Sequence, residues 1–177
     1  MTPRIFGWSQ MHGNESTTTK ALFDLFSFIY SKRDLLVASE ILKKCSFKMI
    51  PMLNPDGASL YTRENINQVD LNRDAELLSQ KESQVLRSVF NDFKPDYCFN
   101  LHDQRTIFSA GDMDKPATLS FLAPSLDEER SISPSRKRAM QIIADLNHGL
   151  QEYLPGQIGR FDDGFNINCT GDRFMAF

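Results

Sequence analysis

Residues 4–15 read R-I-F-G-W-S-Q-M-H-G-N-E, and the fold is decided there. Arg4 to Gln10 is apolar and aromatic, which predicts a short buried strand ending at His12. Glu15 follows His12 by three positions. Far downstream, Tyr97 to Leu101 (Y-C-F-N-L) predicts a second buried strand, and it too runs into a histidine, His102. Between them the pattern is helical. Leu22, Leu25, Phe26 and Ile29 recur at i, i+3, i+4 and i+7, which predicts a helix from Thr18 to Ser31, capped by Ser16 or Thr17. A second helical run spans Leu35 to Lys44, and Phe47 to Leu53 reads as a strand. Ser79-Gln80-Lys81-Glu82 is a capping-box sequence opening a helix to Phe93, whose apolar face is Leu86, Val89, Phe90 and Phe93.

Strands alternating with helices predict an α/β fold with right-handed crossovers. The sheet is expected to be mainly parallel or mixed, with helices on both faces. Ligands of such sheets bind beyond the carboxyl ends of the strands. His12 and His102 both stand there, so the topology can bring them together. Beyond them, Thr118 to Ala123 is a predicted strand. Pro134 to Tyr153 is a predicted helix with Met140, Ile143, Ala144 and Leu150 facing inward, and Gly156 to Phe177 reads as irregular. Neither end has the lead-in or finishing turn of a whole domain, so residues 1–177 are expected to form a single α/β domain that is a fragment of a larger one.

Composition excludes several classes. The net charge of -3 and a pI near 5.6 argue against a nucleic-acid binder. No apolar stretch reaches the roughly 18 residues of a membrane span, and no signal peptide precedes the first motif. Cys45, Cys98 and Cys169 are too few and too scattered for a disulfide framework or a cysteine-built metal site. Their odd number fits a reducing, cytoplasmic compartment. Arg136-Lys137-Arg138 is the densest basic cluster and opens a predicted helix, where a solvated face is the simplest reading.

His12, Glu15 and His102 make two imidazoles and one carboxylate, a set that leaves a fourth position open on zinc. H-x-x-E alone is unspecific, and a strand-end histidine is often only hydrogen-bonded. His148 lies inside the last predicted helix and reads as a surface or half-buried residue. The loop Asn54 to Asp74 has no period and is dense in Asn, Asp and Arg. Its N-P-D-G reads as a tight turn in which Gly57 permits positive φ. Asp70, Asn72 and Arg73 cluster in D-L-N-R after Arg63, Glu64 and Asn65, and such guanidinium groups suit an anionic substrate through paired hydrogen bonds.

H-G-N-E, then N-P-D-G with R-E-N and D-L-N-R, then a strand ending in L-H-D, resembles the zinc carboxypeptidases of the carboxypeptidase A type. The order and approximate spacing agree over Arg4 to Asp103, and the run Asn54 to Arg73 is the specific part. The resemblance implies a hydrolase that removes C-terminal residues from peptides, with one zinc per chain held by His12, Glu15 and His102. It implies that Arg63 polarises the scissile carbonyl and steadies the oxyanion, and that Asn72 and Arg73 grip the substrate's terminal carboxylate. Two departures stand out. Asn14 occupies a position where the family often has Arg. The family's general-base Glu and closing Tyr lie on a later strand and loop, and Phe177 is reached before either is placed. Asp103, next to His102, is a candidate partner to the metal ligands or a substitute base.

Two other functions fit the same residues. A zinc deacylase of N-acyl amino acids, similar to the aspartoacylase group, shares H-G-N-E and a D-x-N-R-like element, while N-P-D-G and R-E-N favour the peptidase. A non-catalytic zinc-binding or peptide-binding module is the third. In the first two cases the partner is a peptide or acyl-amino acid with a free carboxylate, with neither nucleic acid nor membrane involved.

Overall fold

The structure is a computed structural model that describes residues 2–31, 35–161 and 164–175. The chain divides into two compact units, Met1–Asp103 and Gln104–Phe177. The first is built on a parallel three-stranded sheet in the order β2-β1-β3, where β1 is Arg4–Ser9, β2 is Ser46–Ile50 and β3 is Tyr97–Leu101. Only β1 is paired on both sides, so Phe6 and Trp8 reach 0% exposure, their rings 5.1 Å apart on one face. The expected burial of the Tyr97–Leu101 strand is corrected: β3 is an edge of this sheet and is half-buried along its whole length.

Helix α1 (Thr17–Tyr30) and helix α2 (Leu35–Lys44) connect β1 to β2, and α1 turns Leu22, Leu25, Phe26 and Ile29 to its more buried side as expected. Ser16 occupies the cap position of α1 but makes no side-chain cap bond.

The periodless loop contains two short elements, α3 (Pro55–Leu60) and a 3-10 turn (Leu71–Arg73). N-P-D-G is therefore a helix start. Asn54 is the cap, its side chain accepting from the Gly57 N–H at 2.9 Å, and Pro55 takes the first turn, where its missing N–H costs nothing. Gly57 does not use positive φ. A Cβ there would lie 2.4 Å from Asn54 Nδ2 and 2.5 Å from the Glu64 carbonyl oxygen, so close approach is what requires glycine.

Helix α4 (Lys81–Phe93) begins as expected, but without the capping box. Asp74, 2% exposed, takes the role from outside: its carboxylate accepts from the Ser79 N–H, the Ser79 hydroxyl and the Gln80 N–H at 2.7–2.9 Å. Burial raises its pKa, but these bonds outweigh it and hold the carboxyl below its ordinary value. Asp74→Ala is expected to cost roughly 2–3 kcal/mol at neutral pH. A depressed folded pKa contributes stability above about pH 4, and that contribution is lost as pH falls through the folded value. Urea unfolding at pH 7 and in acid checks this; an equal cost at both would contradict it.

In the second unit, α5 (Pro134–Leu150) connects the parallel pair β4 (Leu119–Phe121) and β5 (Ile158–Arg160). Three expectations are corrected. Arg136 is 8% exposed, not solvated, and donates to the carbonyls of Ala123, Arg130 and Ser131, so it ties the preceding loop to the helix. Met140 and Ala144 are exposed rather than inward. With Ile143, Phe121, Ile158 and Phe161 they line an open groove of about 350 Å³. The stretch read as irregular holds β5 and a π-helical turn, Gly171–Met175, while residues 162, 163, 176 and 177 lie outside the described residues. Among the described residues, no helix is long and apolar enough to cross a membrane.

Candidate metal centre

β1 and β3 are adjacent and parallel, with Ser9 paired to Leu101, so their ends deliver His12 and His102 to one place. The turn between strand and site is made at Gln10, whose φ of 51 lies in the left-handed region. That conformation is costly for a residue with a Cβ. It is held by side-chain bonds: Gln10 Nε2 donates to the Gly13 carbonyl at 2.8 Å, and Gln10 Oε1 lies 2.8 Å from the Thr19 hydroxyl. Gly13 then passes directly over α3. A Cβ on Gly13 would sit 2.0 Å from the Gly57 carbonyl carbon, so the glycine of H-G-N-E is required by its contact with the backbone of N-P-D-G.

Glu15 completes the cluster. His12 Nδ1 lies 2.8 Å from Glu15 Oε1, and His102 Nδ1 lies 2.9 Å from Glu15 Oε2. The imidazole centroids are 4.8 Å apart. One donor atom from each of the three residues falls within 4.8 Å of the others. His12 has a second carboxylate on its far side, with Nε2 3.1 Å from Asp70 Oδ1. Burial works against the charged ring, yet bonds to Asp70 and Glu15 outweigh it, so the His12 pKa is raised. Burial likewise raises the carboxyl pKa values of Glu15 and Asp70. For Glu15 the bonds to His102 and His12 outweigh it. For Asp70 the bond to His12 and the charges of His12 and Arg63 do so. Both end well below the usual carboxylate range.

These residues fit a divalent cation of the zinc type. Two nitrogens and one carboxylate converge on a small volume, a donor set that suits such a cation. With a cation bound, the Asp70 contact on His12 Nε2 would leave Nδ1 to face it, the usual way a carboxylate orients a ligating imidazole.

Asp70 was visible in the sequence only as a member of a polar cluster, yet it organises the surroundings. Its Oδ2 lies 3.0 Å from Arg63 Nε and from Arg63 Nη2, and its Oδ1 accepts from the Asn72 N–H at 2.8 Å. Arg63 Nη1 stands 3.7 Å from Glu15 Oε1 at the edge of the cluster. The 3-10 turn is anchored by Leu71, 1% exposed, with Asn72 buried and Arg73 exposed, the Arg73 Nη1 donating to the Asn72 carbonyl at 2.9 Å. Asp70 thus joins Arg63 and the Asn72 N–H to His12, and the Arg73 guanidinium is tied to the same turn through the Asn72 carbonyl. His148 is exposed on α5 in the second unit. Cys98, on β3, has its thiol pushed up to about 12 by burial, which makes it unreactive.

A family model described as zinc carboxypeptidase matches residues 1–109. Carboxypeptidase SOL1 of Arabidopsis thaliana is 41% identical over 66 residues, 36% of this chain and 13% of that protein. A metallo-carboxypeptidase from Burkholderia cenocepacia has the same fold, with a TM-score of 0.69 at 17% identity over 99% of this chain and 46% of that one. An aspartoacylase family protein from Mesorhizobium loti aligns with a TM-score of 0.57 at 14% identity, over 91% of this chain and 52% of that one. The chain therefore spans about half the length of these solved relatives.

Proposed function

This chain belongs to the zinc carboxypeptidase family, and on that premise we propose that the complete protein removes C-terminal amino acids from peptides. We infer that His12, Glu15 and His102 hold one zinc ion. The observation that carries this is the convergence of both Nδ1 atoms on the Glu15 carboxylate, 2.8 and 2.9 Å away. Zinc bound by such a set supplies an electrophile with one position left open for the reaction.

The remaining roles fall to side chains around it. Asp70 holds the His12 ring in one orientation and sets the direction of Arg63. Arg63, half-exposed at the rim, polarises the scissile carbonyl and stabilises the negative oxygen that develops there. Asn72 and Arg73 bind the substrate's terminal carboxylate, so the carbonyl is presented to Arg63 and the ligand cluster. A single domain over residues 1–177 remains our proposal for the whole. We assign the general base to none of these residues, since the Asp103 carboxylate is engaged by Thr17.

The aspartoacylase-type fold match supports a second reading, hydrolysis of N-acyl amino acids. Both substrates carry a free carboxylate, so hydrolysis of an N-blocked dipeptide and of an N-acyl amino acid by the complete protein separates them. The peptidase reading expects the dipeptide to be preferred and its C-terminal amide to be a poor substrate. Arg73→Ala is expected to raise KM for the free-acid peptide roughly 10- to 100-fold, the range for losing a charge-assisted bond. Unchanged hydrolysis by that variant would count against the proposed role.

A further inference from the structure

The sheet positions two of the three proposed ligands, since His12 and His102 follow adjacent strands, but it does not position Glu15, which sits in the loop before α1. We propose that Asp103 is the positioning residue for Glu15, acting as a clasp between the end of β3 and the start of α1. This rests on the metal reading above.

The first turn of a helix leaves N–H groups without helical partners, and Ser16 makes no side-chain cap bond. Asp103 supplies the cap from the other strand. The Thr17 N–H points to its carboxylate at 3.0 and 3.3 Å, and the Thr17 hydroxyl donates to it at 2.9 Å. The Thr18 hydroxyl donates to the Leu101 carbonyl at 3.3 Å. In the other direction, the Asp103 N–H donates to Glu15 Oε2 at 3.2 Å, on the same oxygen that meets His102. Residues 101–103 thus hold the third ligand itself and residues 17 and 18, which follow it. Without the carboxylate, the Thr18 hydroxyl bond and the Asp103 N–H bond to Glu15 remain, but the contacts at Thr17 are lost and the segment that carries Glu15 is held less firmly against the two imidazoles.

Zinc affinity of the purified chain, by competition with a chromophoric chelator, tests this alongside the visible spectrum of the cobalt-loaded protein. Asp103→Ala is expected to weaken zinc binding at least about tenfold, within the range for residues that orient metal ligands, and to alter the cobalt spectrum. Asp103→Asn retains an oxygen for the Thr17 N–H and is expected to stay within about threefold of wild type with an unchanged spectrum. Thr17→Val removes only the hydroxyl bond and is expected to fall between them, which keeps the test open if Asp103→Ala does not fold. A lost cap that mattered only to folding would lower the unfolding midpoint and leave affinity and spectrum alone. That result would overturn the proposal, as would an Asn variant as weak as the Ala variant, which would make charge rather than the clasp responsible. Wild-type chain that binds no zinc would overturn the metal reading and this one together. Tight wild-type binding with an unaffected Ala variant would overturn the clasp alone.

Discussion

Gly13→Ala is expected to lose at least about 3 kcal/mol of folding stability, at or beyond the upper end of ordinary overpacking, and metal binding with it. The added Cβ would lie 2.0 Å from the Gly57 carbonyl carbon, 2.3 Å from the Ala58 nitrogen and 2.4 Å from the Gly57 oxygen. All three are backbone atoms, so no side chain can rotate away. Nor can either segment withdraw at small cost. The Leu53 and Asn54 N–H groups donate to the Ser9 and Gln10 carbonyls at 3.1 Å, and Asn54 Nδ2 donates to the Met11 carbonyl at 3.2 Å. Relief would break those bonds or move His12. Gly149→Ala is the matched control, because its Cβ would meet nothing within 4 Å. In a helix that exchange is expected to be neutral or to gain up to about 1 kcal/mol. Urea midpoints of the two variants check the pair, and a Gly13→Ala chain as stable as Gly149→Ala would contradict the contact.

Arg63→Ala in the complete protein is expected to lower kcat roughly 100- to 1,000-fold, the usual consequence of removing a group that stabilises a developing oxyanion. KM is expected to change much less, because the proposed role is exercised in the transition state and not in the bound substrate. The variant also leaves Asp70 without its guanidinium partner, but Asp70 keeps His12 Nε2 and the Asn72 N–H. Zinc content is therefore expected to persist, and that separates a catalytic loss from a collapsed site. Steady-state kinetics with metal analysis decides it. A variant with normal kcat, or one that loses zinc in proportion to activity, would contradict the assignment.

Much of this architecture was legible from local pattern. The strand–helix–strand order, the two strand-end histidines and the buried faces of α1 and α4 follow from local pattern, whereas the expected face of α5 was overturned at Met140 and Ala144. Three further features did not follow, each for its own reason. Asn54 and Pro55 are turn formers and helix starters alike, and α3, Pro55–Leu60, is too short to show a period. The cap of α4 comes from Asp74, 5 positions before Ser79 and outside the capping-box spacing, and that of α1 from Asp103, 86 positions from the residue it caps, where no local motif could reveal it. The burial of Arg136 was hidden because a basic run has the same sequence whether it meets water or loop carbonyls. The site shows the same division. The proposed ligand set was readable as residue types at and just beyond strand ends, whereas the position of Asp70 required knowing that His12, Arg63 and Asn72 lie around one carboxylate.

The convergence of His12, Glu15 and His102 is most directly tested by zinc content per purified chain, with His102→Ala measured beside it. Close to one zinc per chain in the wild type, lost in the variant, is the expected result. No zinc after it is added back, or zinc retained without His102, would contradict the proposed metal centre.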